Sequence, residues 1–152
     1  MQIKKYTSAL RDNVHMWVQK VNNVDILVGI PCYNTEDTLG YVVEQIGKGL
    51  ARYFPNYKCA IFISDGGSLD DTREHGYEAV IPDNIERRVT IYRGIPGKGT
   101  SFRAVFEVAL ILKAKAIAVV DADLRSITPE WIKLLVDPIL DHSAGFVAPY
   151  YR

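Results

Sequence analysis

The chain has 152 residues, 48% hydrophobic and 24% charged, which suits one globular domain able to bury a sizeable core. Lys plus Arg equals Asp plus Glu at 18 each, so no overall field favours nucleic acid or an anionic membrane, and any anion must be held by a local site. Cys32 and Cys59 lie in apolar stretches without disulfide or zinc spacing, which points to a reducing, cytoplasmic home. No apolar run reaches the ~20 residues of a transmembrane segment, and the polar start lacks a signal-peptide core.

Along residues 1–24, Leu10, Val14, Trp17, Val18 and Val21 recur at helical spacing and predict an amphipathic helix that packs on the main domain, residues 25–152. Residues 25–33, DILVGIPCY, read as a buried strand closed by Pro31. A helix follows, with Leu39, Val42, Val43, Ile46 and Leu50 inward and Asn34 or Thr35 as its cap before the acidic Glu36 and Asp37. KCAIFIS, residues 58–64, is the second strand, and in DGGSLDDT Ser68 three residues before Asp71 predicts a capping box. RRVTIYRG, residues 87–94, alternates like a strand. Beyond the loop GIPGKG, the helix should bury Phe102, Val105, Phe106, Ala109 and Leu110. AIAVV, residues 116–120, reads as a buried strand, Thr128 and Pro129 start a helix that ends near Leu140, and GFVAPYY predicts a last strand.

Strands alternating with helices imply an α/β, Rossmann-like, mostly parallel sheet with helices on both faces. Such sheets bind ligands at the carboxyl ends of their strands, and four stretches arrive there: PCYNTED, SDGGS, PGKG and DAD. Asp121 and Asp123 would lie about 7 Å apart on a continuing strand and repel by about 2 kcal/mol at an effective dielectric of 20. A hard divalent cation such as Mg2+ or Mn2+ would remove that penalty; simple solvation at a loop start is the other reading. Gly97 and Lys98 have the parts of an anion site, backbone N–H groups and a mobile charge before a helix, or of an ordinary tight turn. Asp65 suits a base N–H or a ribose hydroxyl and equally a helix cap, and Glu36 suits a ligand or the helix N-terminus. His15, His75 and His142 have no spacing that suggests a metal cluster.

In order and spacing, IPCYNTEDTL, SDGGSLDDT, GKGTSFRAVFEVA and DADLRSITPEWI resemble the glycosyltransferases of the GT-A fold, especially family 2 and the related glucosyl-3-phosphoglycerate and mannosylglycerate synthases. The resemblance spans about residues 25–139. It implies a metal-dependent transferase that moves a hexose from a nucleoside-diphosphate sugar, a UDP- or GDP-sugar, to an acceptor hydroxyl. Asp123 would hold the metal, and Asp121 the ribose or the metal with Ala122 beside it. Asp65 would read the base, Pro31, Tyr33 and Glu36 would line the nucleotide pocket, and Gly97 and Lys98 would lie near the ribose or diphosphate. Gly66 departs from the pattern, because the second signature often carries a second aspartate there. The family draws acceptor-binding residues, a further metal ligand and, in inverting members, a catalytic base from sequence beyond residue 152, so no catalytic residue is assigned. Uncovered apolar surface would then favour a homo-oligomer, with the Leu10, Val14, Trp17 and Val21 face taking part. A sugar nucleotidyltransferase would share the strand–helix pattern but would need a glycine-rich basic loop after the first strand; a nucleotide-sugar-binding module without turnover is the rival of another class.

Overall fold

The computed structural model describes residues 7–150. Its element order is α1 (Asp12–Val21), β1 (Ile26–Cys32), α2 (Glu36–Tyr53), β2 (Cys59–Asp65), α3 (Thr72–Glu78), β3 (Glu86–Ile91), α4 (Lys98–Ile111), β4 (Ala116–Val119) and α5 (Pro129–Leu140). The strands form one parallel sheet in the order β3-β2-β1-β4. Both central strands, β1 and β2, are buried along their whole length, as apolar runs covered on two faces must be.

Side-chain alternation divides the core. Ile26, Val28, Ile30 and Cys32 of β1 face α2 and α5, packing with Leu39, Val42, Val43, Ile46 and Ile132. Leu27 faces the other way, with Phe62, Val105 and Val108. Onto this second face α1 lays Val14, Trp17, Val18 and Val21, and Trp17 stacks on Phe62 with ring centroids 6.2 Å apart. The face expected to join copies of the chain is therefore spent inside the chain's own core.

Three elements depart from their sequence patterns. In α4 the buried residues are Ser101, Ala104, Val105, Val108 and Ala109, while Phe106 and Leu110 are 52% and 81% exposed. The helix lies too close to the sheet for aromatic rings: a Cβ on Gly29 would meet Val105 Cγ1 at 2.3 Å, and Ser64 and Ser101 exchange hydroxyl-to-carbonyl bonds across the contact. Small residues therefore face inward and the larger ones outward. Strand β4 is half-buried, with Ala116 and Ala118 inside and Ile117 exposed, because it is an edge strand. Residues 145–150 pair with no strand among the described residues, and Tyr151 lies outside them.

Candidate functional site at the strand ends

Because all four strands run parallel, their carboxyl ends share one edge. Strands β1, β2 and β3 end level, in the row Cys32, Asp65, Ile91. Strand β4 stops earlier, at Val119 opposite Gly29, and residues 121–123 beyond it line a cleft together with Pro31 and Cys32 at the end of β1. Between β1 and β4 the order of strands reverses, and a crevice opens at such a point in this class of sheet. It is a cleft of about 820 Å³ lined by Pro31, Cys32, Tyr33, Thr35, Gly66, Gly67, Leu69, Tyr92, Pro96, Gly97, Lys98, Ser101, Asp121, Ala122 and Asp123, within the size range of small-molecule sites.

Both aspartates reach the cleft, but not as strand residues. After Val119 the chain is a turn, closed by Leu124 N–H on Asp121 O and Arg125 N–H on Asp123 O, so the spacing expected of a continuing strand does not apply. The turn is tied to α2: the Thr38 hydroxyl donates to Ala122 O at 2.8 Å and the Tyr41 hydroxyl to Ile127 O at 2.9 Å. Ala122 is buried while its two neighbours are exposed, so the anchored alanine splays the carboxylates outward. Lys98 Nζ donates to Asp121 Oδ1 at 2.9 Å from across the cleft and lies 5.6 Å from the Phe102 ring centroid. No bond to the Asp123 carboxylate occurs among the described residues. Nor is there a group of three or more His, Cys, Asp or Glu side chains among them that could hold a metal alone.

Asp65 differs from its expected role. It has no exposed surface, and both its oxygens are taken. Oδ2 accepts the N–H of Gly67 at 3.0 Å, that of Ser68 at 2.9 Å and Arg73 Nη1 at 2.7 Å; Oδ1 accepts the Ser68 hydroxyl and the Cys32 thiol. The carboxylate thus shapes the Gly66 and Gly67 wall of the cleft and does not face into it. The bond to Asp65 raises the Arg73 pKa. Burial, then the adjacent Asp65 charge, raises that of the Cys32 thiol. Ser68 serves this network, so the expected capping box does not form; the residue before α3 is Asp71, which makes no side-chain cap bond.

Glu36 also lies outside the cleft. Its carboxylate accepts Asp71 N–H at 2.9 Å, while Asp70 accepts Glu36 N–H at 3.4 Å. With Asn34 N–H on Ser68 Oγ, Leu69 N–H on Asn34 Oδ1 and Thr35 N–H on Thr72 Oγ1, these bonds stitch the first two strand-end loops into one unit. Asn34 and Thr35 make no side-chain cap bond to α2. Instead the buried Thr35 hydroxyl, at the cleft wall, has no hydrogen-bond partner among the described residues.

Beyond Ser101, two further lining residues lie outside the four stretches expected at the strand ends. Tyr92, 8% exposed, closes the back of the cleft, its hydroxyl accepting Gly97 N–H at 2.7 Å. A Cβ on Gly66 would stand 3.2 Å from that hydroxyl and 3.4 Å from the Tyr33 ring, so an aspartate at this position would crowd the tyrosines. Leu69, 91% exposed, lines the cleft just before Asp70 and Asp71. The alternation of β3 into Tyr92 was the only signal for either.

A parallel α/β sheet with helices on both faces and a cleft at the reversal of strand order is the arrangement in which open α/β folds bind their ligands. Residues 27–152 match the family described as glycosyl transferase family 2, and the chain belongs to that family. Solved structures share its GT-A fold. Glucosyl-3-phosphoglycerate synthase from Mycobacterium tuberculosis, in complex with Mn2+, UDP and glucosyl-3-phosphoglycerate, is 21% identical, with a TM-score of 0.54 over 90% of this chain and 46% of that one. The same enzyme with Mg2+ and UDP is 22% identical, with a TM-score of 0.56 over 91% and 47%. Mannosyl-3-phosphoglycerate synthase from Rubrobacter xylanophilus is 18% identical, with a TM-score of 0.59 over 85% and 40%. The chain spans less than half the length of each of these. No curated protein matches it. No helix among the described residues is long and apolar enough to cross a membrane.

Proposed function

We propose that the cleft binds a nucleoside-diphosphate sugar together with a divalent cation, and that the protein transfers the hexose to an acceptor hydroxyl. The observation that carries this reading is the convergence of Lys98, Asp121 and Asp123 on one cleft whose other wall is Tyr33, Gly66 and Gly67. These charged groups suit a diphosphate, and the Tyr33 ring beside Gly66 suits a base. The unpartnered Thr35 hydroxyl supports the same reading, because a buried polar atom without a partner is rare unless something else satisfies it.

The residues fit Mg2+ or Mn2+. Asp121 and Asp123 are exposed hard-oxygen donors on one anchored turn, and hard cations complete their shells with water and phosphate oxygens. Bound there, the ion would supply Lewis-acid stabilisation of the departing diphosphate. Lys98 adds a mobile positive charge to the same leaving group. Pro31 and Tyr33 hold the nucleotide's other end, and the Asp65 and Glu36 networks keep the two loops in place beneath it. UDP is the first nucleotide to test and a phosphoglycerate the first acceptor, since the glucosyl-3-phosphoglycerate synthase was solved with UDP and, separately, with phosphoglyceric acid.

The test is calorimetric titration with UDP, GDP and ADP in Mn2+ and in EDTA. Nucleotide binding should tighten in the presence of the ion, and Asp123→Ala should abolish the ion-dependent part while leaving the fold intact. Equal affinity in Mn2+ and EDTA would overturn the metal role of the two aspartates.

A further inference from the structure

We infer that Lys98 holds Asp121 in the ligand-free chain as a stand-in for the cation, so that ion and diphosphate bind cooperatively through this one side chain. The inference rests on the nucleotide-sugar reading of the cleft and adds the order in which its charges are exchanged.

The two aspartates of the turn are not equivalent. Asp121 is neutralised by the chain's own ammonium at 2.9 Å, whereas Asp123 has no bonded partner among the described residues. The pair bridges two separate elements: Lys98 opens α4, just after Gly97 at φ 147°, and Asp121 follows β4. Lys98 and Asp121 side chains are 61% and 54% exposed, and ion pairs so open to water are weak. Weakness is what a stand-in requires. A diphosphate carries more negative charge than a carboxylate and binds an ammonium more strongly, so it can draw Lys98 off Asp121.

Each charge then changes partner. With Lys98 on Asp121, an incoming divalent ion finds one free carboxylate and a positive charge beside it, which repels it. Once Lys98 moves to the diphosphate, both carboxylates are free for the ion, and the phosphate oxygens add ligands to a shell for which the described residues offer no group of three such side chains. Each ligand therefore raises the affinity of the other, and by linkage the two factors are equal. The half-buried Phe102 ring, with its centroid 5.6 Å from Nζ, steadies the ammonium in its resting position.

Opposite effects on the two ligands test this. Lys98→Met keeps the stem and removes the charge; Lys98→Arg keeps the charge. Both substitutions fall at an exposed first residue of α4, and urea midpoints check that the fold is intact. Mn2+ binding alone is read from the EPR signal of the free ion, and UDP binding alone by calorimetry in EDTA. Lys98→Met should bind Mn2+ alone about fivefold more tightly than wild type and UDP alone more weakly. The factor by which each ligand improves the other should fall, while Lys98→Arg stays within about twofold of wild type for Mn2+. Unchanged Mn2+ affinity in Lys98→Met with weakened UDP would overturn the inference and leave Lys98 a phosphate ligand only. Tightened Mn2+ with no UDP binding by any form, in EDTA or in saturating Mn2+, would support the competition and overturn the nucleotide-sugar reading instead. No Mn2+ binding by wild type or variant would overturn the inference.

Discussion

Replacing Asp65 with alanine should damage the fold before it alters base preference. The carboxylate is inaccessible and accepts from Gly67 N–H, Ser68 N–H, the Ser68 hydroxyl, the Cys32 thiol and Arg73. Truncation leaves two backbone N–H groups and the Ser68 hydroxyl proton without an acceptor, and it removes the counter-charge of Arg73, which keeps only its bond to Ser68 O and whose side chain is 28% exposed. Breaking a buried ion pair from one side costs about 3–5 kcal/mol. Water can reach Arg73, which places this case at the lower end, about 3 kcal/mol. With an unfolding entropy of about 2.1 cal/mol/K per residue over 152 residues, the Tm should fall by about 9 °C. Urea unfolding of the wild type, Asp65→Ala, Arg73→Ala and the double variant measures it. The two single losses should overlap by about 1 kcal/mol or more, because they break one network. A loss below about 1 kcal/mol in Asp65→Ala would refute the reasoning and return the carboxylate to a role facing the ligand.

Further outcomes follow from other contacts. Gly49→Ala should destabilise by about 1–3 kcal/mol in urea, since its Cβ would meet Pro129 O at 2.6 Å and push α5, with the turn before it, off α2; a gain in stability, as helix propensity alone predicts, would contradict that. Both cysteines should resist iodoacetamide at pH 8 in the folded chain and react in urea, because burial pushes the Cys59 thiol up to about 12 and raises that of Cys32 as well. The imidazole of His75 donates to Glu36 O, and that bond, followed by the nearby Asp71 and Glu78 charges, raises its pKa. Its contribution is therefore full below the ordinary histidine value of about 6.5 and is lost as pH rises through the raised one. Thermal stability should decline over that window and the slope should flatten in His75→Gln; an identical pH profile in the variant would remove the effect.

Much of the fold was legible in local pattern. The runs of β1 and β2, the inward set Leu39, Val42, Val43, Ile46 and Leu50 of α2, and the set Val14, Trp17, Val18 and Val21 of α1 all occupy the core as their spacing implies. Residue order alone also brought PCYNTED, SDGGS, PGKG and DAD to one edge, because parallel strands present their carboxyl ends together. Other choices were made only in three dimensions. Which side of α4 turns inward depends on the missing side chain of Gly29 in another element, so the apolar pattern of α4 itself, which favours Phe102, Phe106 and Leu110, misleads. Whether Asp65 and Glu36 meet a ligand or a backbone N–H depends on how two loops distant in sequence lie against each other. Periodicity records only how often a side chain returns to one face. The satisfaction of a buried carboxylate, and the pairing of Lys98 with Asp121 across the cleft, are decided by distances between elements, which only the packed sheet sets.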